Sequence, residues 1–125
     1  MILVDSSGWV EYFTDGPLAD DFAPYLERLE EVVTPTIVIF EVFRVIRRQR
    51  SEEEAMEAVA QMQKTSVVDL DQTLALSAAD ISIEHGLAMA DAIVYATARF
   101  NGVQTVTADA DFEGLREVRV FTRGT

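Results

Sequence analysis

Apolar and polar positions along the chain fall into short runs alternating with longer periodic stretches. Ile2-Leu3-Val4 is a brief aliphatic run, the pattern of a strand buried on both faces in a parallel sheet. A helix follows through Trp9, Val10, Tyr12 and Phe13, with Ser6 or Ser7 as its cap, and Asp15-Gly16-Pro17 reads as a turn. Leu18, Phe22, Tyr25, Leu26 and Leu29 recur at helical spacing, with Pro24 complicating the start of that helix. Val32-Val33-Thr34 predicts a second strand, and Thr34-Pro35 an N-cap followed by proline at the first helical position. The helix from Thr36 to about Arg48 is apolar around most of its circumference and should be largely buried.

Ser51-Glu52-Glu53-Glu54 has the form of a capping box opening a helix through Met62. Val67-Val68-Asp69-Leu70 predicts a third strand. Asp71 caps a helix running to His85, with Gly86 as its stop. Ala88 to Phe100 is a helix rich in small residues, Val103 to Thr107 a fourth strand, and Val118 to Phe121 a last strand before a polar tail. Strands alternating with helices imply an α/β fold, a three-layer α/β/α sandwich around a mostly parallel sheet. No repeat, linker or low-complexity stretch interrupts it, so residues 1–125 are expected to form a single domain.

Composition narrows the chemistry. The absence of cysteine excludes disulfides and thiolate metal sites, and the single His85 excludes a multi-histidine one. No apolar run is long enough to cross a bilayer, and the N-terminus lacks the basic region of a targeting segment, so no membrane association and a cytoplasmic location are expected. A formal net charge of −12 argues against a general polyanion binder. The basic residues are nevertheless uneven, with Arg44, Arg47, Arg48 and Arg50 close together; a solvated helix end explains them as readily as a binding patch.

Most of the 22 acids have ordinary explanations as helix starts or solvated faces. Four are harder to dismiss. Asp5 ends the first strand at the edge where ligands collect in open α/β sheets, although it could simply cap a helix. Glu41 interrupts the most apolar helix, where only an ion pair with Arg44 or Arg48, or a bound cation, would offset the cost of its charge. Asp91 opens an otherwise apolar helix, and Asp109, with Asp111 behind it, follows the fourth strand; dipole compensation and capping are the plain alternatives. Brought together, these carboxylates would repel one another unless a cation sat among them, and an all-oxygen set selects Mg²⁺ or Mn²⁺. Such a centre suits phosphodiester hydrolysis. The chain has neither a phosphate-binding G-x-x-x-x-G-K-[ST] loop nor a dinucleotide fingerprint. It also lacks the Asp-x-Asp that a haloacid-dehalogenase phosphatase needs after its first strand. Its one lysine, Lys64, precedes the third strand, which does not fit a receiver domain.

Four segments carry a family resemblance: Ile2-Leu-Val-Asp5-Ser-Ser, Thr34-Pro-Thr-Ile-Val-Ile-Phe-Glu41-Val, Met89-Ala-Asp91-Ala-Ile-Val-Tyr-Ala-Thr-Ala, and Val106-Thr-Ala-Asp109-Ala-Asp111-Phe. Together and in this order they resemble PIN-domain proteins, most closely the VapC-type toxin ribonucleases of bacterial and archaeal toxin–antitoxin pairs. The resemblance implies an endoribonuclease dependent on Mg²⁺ or Mn²⁺, acting on RNA such as tRNA or rRNA, forming a homodimer and silenced by a cognate antitoxin protein. It implies Asp5 and Asp91 as metal ligands, and Glu41 and Asp109 as completing the acidic quartet directly or through water. Ser6, Thr107 and Asp111 would form the supporting shell, and Arg44, Arg47, Arg48 and Arg99 would contact RNA. PIN-like modules without catalytic activity also exist, and a non-catalytic binding or scaffold module is the competing expectation. Of the aromatic residues that could line a dimer interface, Trp9, Tyr12, Phe13 and Phe43, large apolar side chains at helical spacing more often pack inward.

Overall fold

Five parallel strands make one sheet in the order β3-β2-β1-β4-β5. The computed structural model describes residues 1–122, so the end of the polar tail lies outside the described residues. Along the chain, β1 (Ile2–Val4) leads into α1 (Ser6–Phe13) and α2 (Ala19–Leu26). Then come β2 (Val32–Pro35), α3 (Thr36–Gln49), α4 (Glu52–Met62) and β3 (Ser66–Val68). The last part is α5 (Gln72–His85), α6 (Met89–Phe100), β4 (Gln104–Thr107) and β5 (Val118–Val120), with 3₁₀ turns at Leu29–Glu31 and Ala110–Phe112.

The sheet is wholly parallel, and its first strand is its centre. Leu3 pairs with Val33 on one side and Thr105 on the other. Leu3, Val4, Val32 and Val106 are fully buried, as strands covered by helices on both faces require. Strand order turns outward in both directions from β1. The crevice outside its carboxyl end, between β1 and β4, is therefore the topological switch point of the fold.

Local signals set most helix ends. Ser51 Oγ accepts the Glu54 amide at 3.0 Å and Asp71 Oδ1 accepts the Leu74 amide at 2.8 Å, so both capping residues act as the sequence indicates. Gly86 ends α5 in the left-handed conformation at φ 69°. Two boundaries shift. Pro35 is the last residue of β2 and caps α3, so Thr36 and not proline takes the first helical position. Pro24 lies inside α2 rather than at its start, and Leu29 belongs to the 3₁₀ turn beyond. In so short a helix a proline near the C-terminal end removes little from the hydrogen-bond ladder.

The larger correction concerns α3. Only Val38, Val42 and Ile46, a single seam at four-residue spacing, are buried. Phe40 is 60% exposed. The helix packs chiefly through this seam, with Ile37, Ile39 and Phe43 partly buried against the core and Phe40 left outside, and Glu41 sits half-buried at an edge and not in the core. Trp9, by contrast, is fully buried and stacks on Phe13 with ring centroids 5.5 Å apart, while Tyr12, Phe13 and Phe43 are partly buried against the core.

The start of α1 is pressed against α2. A Cβ placed on Gly8 would lie 2.6 Å from the Phe22 ring and 2.8 Å from Val4. Both neighbours are fully buried and have nowhere to go. Gly8→Ala should therefore destabilise the fold by about 1–3 kcal/mol in denaturant titration, overriding the roughly 1 kcal/mol that alanine gains over glycine within a helix.

Candidate metal centre

Asp5 leaves the end of β1 with its side chain free of capping duty. It occupies the N-cap position of α1, yet makes no side-chain cap bond. Its carboxylate instead faces β4. Thr107 Oγ1 donates to Asp5 Oδ2 at 2.8 Å, and Ser7 Oγ lies 3.2 Å from the same oxygen. Ser7 Oγ is also 3.1 Å from Thr107 Oγ1 and accepts the Ala108 amide at 2.9 Å. Thr107 Oγ1 in turn accepts the Asp109 amide at 2.9 Å. These bonds lock the ends of β1 and β4 together and fix the direction of Asp5. Burial still dominates, raising its pKa above the ordinary value despite bonds from Thr107, the Ser6 backbone and Ser7; the Asp109 charge pushes the same way.

The other carboxylates arrive from three more elements. Glu41 comes from α3. Its pKa is raised by burial and by the charges of Asp5 and Asp109, against a stabilising bond from Ser6. Ser6 Oγ is also 3.5 Å from Asp5 Oδ1, so this hydroxyl stands between the two acids. Asp91 lies in the first turn of α6. Burial first, then Asp109, Asp5, Asp111 and Glu41 in falling order, push its pKa up to about 7. Asp109 both caps the turn after β4, accepting the Asp111 amide at 2.9 Å, and faces the other acids. The five acids thus feel one another's charge. Neither Arg44 nor Arg48 forms the ion pair with Glu41 that the spacing allowed.

Within this group, Asp91, Asp109 and Asp111 each present a carboxylate oxygen within 4.8 Å of the other two. Ligands about 2.1 Å from a Mg²⁺ are at most roughly 4.2 Å apart, so a small closure brings the triplet to coordinating distance. Asp111 thus stands within this triplet. Asp5 and Glu41 lie outside it, yet each is near enough for its charge to raise the pKa of Asp91. An all-carboxylate donor set with no ion pair among the described residues, one member pushed up to about 7, fits a hard divalent cation.

The four expected arginines differ in placement. Arg44 and Arg48 lie one and two turns beyond Glu41 on its own face of α3. All three α3 arginines, Arg44, Arg47 and Arg48, line a cleft with Phe40 and Phe43. Arg99 is in the last turn of α6, eight residues or about 12 Å along the axis from Asp91. Ser7 is what sequence reasoning missed. It was legible only as a helix cap, because its partners Thr107 and Ala108 are about a hundred positions away.

The model of the PIN domain matches residues 2–118. The chain belongs to the PIN domain family. No curated protein matches its sequence. Solved structures share the PIN fold along nearly the whole chain. A toxin–antitoxin complex from Klebsiella pneumoniae is 21% identical with a TM-score of 0.81, covering 98% of this chain and 99% of that one. The sarcin–ricin loop cleaving toxin VapC20 of Mycobacterium tuberculosis is 24% identical with a TM-score of 0.79, covering 96% and 98%. DNA-bound VapBC from Salmonella typhimurium is 16% identical with a TM-score of 0.73, covering 99% and 100%.

Proposed function

We propose that this PIN domain is a Mg²⁺- or Mn²⁺-dependent endoribonuclease, the toxin of a toxin–antitoxin pair. The observation that carries the reading is the convergence of Asp5, Glu41, Asp91, Asp109 and Asp111 on the switch point of the sheet, with no ion pair to any of them among the described residues. The names of the structural neighbours, a toxin that cleaves the sarcin–ricin loop and toxins in complex with antitoxins, favour RNA over other phosphodiesters, with rRNA or tRNA as the substrate class.

A divalent ion held by Asp91, Asp109 and Asp111, with Asp5 and Glu41 completing the shell, would supply an activated water and neutralise charge in an in-line displacement at phosphorus. The chain's own residues prepare this. Thr107 and Ser7 hold Asp5 in one orientation, and Ser6 keeps Glu41 beside it. Arg44 and Arg48, exposed on the face of Glu41, stand where they can meet flanking phosphates and offset the repulsion of a strongly acidic chain for RNA. Among the described residues, no helix is long and apolar enough to cross a membrane.

Two exposed apolar surfaces are available to protein partners. On α3 and α4, Phe40, Phe43 and Met56 line a cleft of about 520 Å³ rimmed by Arg44, Arg47 and Arg48. Its apolar floor and cationic rim suit an antitoxin segment with apolar anchors and acidic flanks. On α5 and α6, Leu76, Ile83 and Met89 are 63%, 84% and 72% exposed and have no basic rim, which suits a second copy of the chain. Phe40→Glu should abolish co-purification with the antitoxin while RNA cleavage persists. Loss of both, or of neither, would remove α3 from the antitoxin contact.

The test of the reading is direct. Purified protein should cut single-stranded RNA with Mg²⁺ or Mn²⁺, and chelation by EDTA should stop it. Metal-independent cleavage, or none under any divalent ion, defeats the proposal.

A further inference from the structure

A basic residue outside the acidic centre stands at the same end of the sheet. Arg119 lies on β5 in register with Val106 of β4, and Val106 in turn faces Val4, the residue before Asp5. Just beyond β5, Phe121 donates its amide to the Thr107 carbonyl at 2.8 Å, so this edge is bonded to the residue that holds Asp5. With neighbouring strands about 4.8 Å apart, β5 runs about 10 Å from β1. Arg44 and Arg48 belong to α3, which leaves β2 on the other side of β1. Basic groups therefore come from elements on both sides of the strand that carries Asp5.

The Arg119 guanidinium is exposed yet held in place. Its central carbon lies 4.7 Å from the centroid of the Phe121 ring, and one of its nitrogens donates to the Tyr25 hydroxyl at 3.2 Å. Phe121 in turn meets the fully buried Phe22 edge-on, with ring centroids 5.2 Å apart, so the plate beneath the guanidinium is anchored in the core. A free surface arginine loses rotamer entropy when it meets a ligand; this one is ordered beforehand. Among the described residues no carboxylate pairs with it, although the chain carries a net charge of −12. Tyr25 accepts the arginine's proton and, among the described residues, donates its own to no acceptor. Several guanidinium N–H groups and a phenol O–H thus stand side by side with no acceptor, a donor set suited to one oxyanion with several lone pairs.

We propose that Arg119 and Tyr25 bind a backbone phosphate of the RNA strand where it crosses β4 and β5 beside the acidic centre. The inference rests on the nuclease reading and adds to it a residue pair that holds the strand. A strand whose reacting phosphate sits at the acids carries further phosphates in both directions, and Arg119 serves one direction as Arg44 and Arg48 serve the other. An acidic peptide fits less well, because it would bring carboxylates toward the carboxylates of the centre. The contact carries no base information, so it fixes the position of the strand and leaves its sequence unread.

The test titrates the whole protein in EDTA with a single-stranded oligouridylate, following the NMR signals of the Arg119 Nε–H and the Phe121 ring, which register weak binding. Both should shift saturably. Arg119→Gln should weaken binding about fivefold at low salt, the scale of an exposed charge pair. It should also reduce the slope of log affinity against log salt, measured from about 50 to 200 mM, by about 0.7. Arg119→Lys should keep the slope of the parent without regaining its full affinity, because it keeps the charge and loses the fork. Tyr25→Phe should weaken binding and leave the slope unchanged. A pair that only fastens β5 to α2 would lower the melting temperature and leave the slope alone, and that result overturns the proposal. So does the absence of any shift. Inorganic phosphate binding as tightly as the strand would mark an unspecific anion contact, and an acidic peptide binding as tightly would assign the pair to a protein partner; either overturns it. If the parent binds the strand through Arg119 but cuts with no divalent ion, the nuclease reading falls and the phosphate contact stands. If it cuts and Arg119→Gln changes neither affinity nor slope, the contact falls and the nuclease stands.

Discussion

Asp91→Asn should lower RNA cleavage by about a thousandfold or more while making the metal-free protein more resistant to heat at neutral pH. The activity loss follows from removing a charged oxygen from the triplet, since a stabilising charge at a reacting phosphate is commonly worth two to three orders of magnitude or more in rate. The gain in stability follows from the same geometry. Asp91 is held near Asp109, Asp5, Asp111 and Glu41, and their repulsion together with partial burial raises its pKa to about 7 from an ordinary 3.8. An amide of the same shape removes that repulsion. The two readouts separate a functional centre from a structural one: a carboxylate kept for the fold's sake would lose stability on neutralisation. If Asp91→Asn cleaves like the parent, or unfolds more readily than it, Asp91 has been misassigned. Asp5→Asn should also abolish cleavage, but with less benefit to stability, because its carboxylate accepts bonds from Thr107 and Ser7 that an amide cannot fully reproduce.

The second large effect is a pH dependence that changes sign with metal. Asp5, Glu41 and Asp91 all have raised pKa values in the folded state. Each favours folding while protonated, so their contribution is fully present below the ordinary carboxylate range and is lost as pH rises. For Asp91 the loss runs from about pH 4 to beyond 7. In EDTA, these groups should lower the melting temperature across that window. A divalent ion binds the deprotonated acids and must displace any proton on them. Its apparent affinity should therefore rise by up to about tenfold per pH unit below 7 and level off above it. At a concentration a hundred times the dissociation constant, the ion adds about 2.7 kcal/mol to the folded state. Thermal scans from pH 5 to 8, with EDTA or Mn²⁺, should show curves that diverge as pH rises. Parallel curves would mean that no ion binds at these acids.

What could be seen in the sequence was whatever short-range chemistry settles. The aliphatic run of β1, the Ser51 and Asp71 caps and the Gly86 stop each depend on residues within one turn, and each forms as expected. The parallel sheet and the acids at its carboxyl edge followed from the order of the elements. The exposure of Phe40 on α3 did not, because periodicity counts apolar residues without knowing which side a neighbour will cover; the Val38–Val42–Ile46 seam is fully covered, and Ile37, Ile39 and Phe43 only in part. Ser7 was hidden for a similar reason. Two adjacent serines after a strand look alike, and only the position of β4 decides that Ser6 serves Glu41 while Ser7 ties Asp5 to Thr107. Asp111 is brought beside Asp109 and Asp91 by the tight turn that folds it back, which spacing alone does not reveal.

The bond between Thr107 and Asp5 spans 102 positions of sequence. During synthesis β4, the strand that pairs with β1 and directs its acid, follows β1 by about a hundred residues. At about 5–20 residues per second, that leaves roughly 5–20 seconds in which the chain carries Asp5 without the wall it needs. The acidic centre therefore assembles only once β4 has been made. A truncated or stalled chain lacking β4 retains most of the helices and none of the assembled site, so incomplete synthesis yields an inert product.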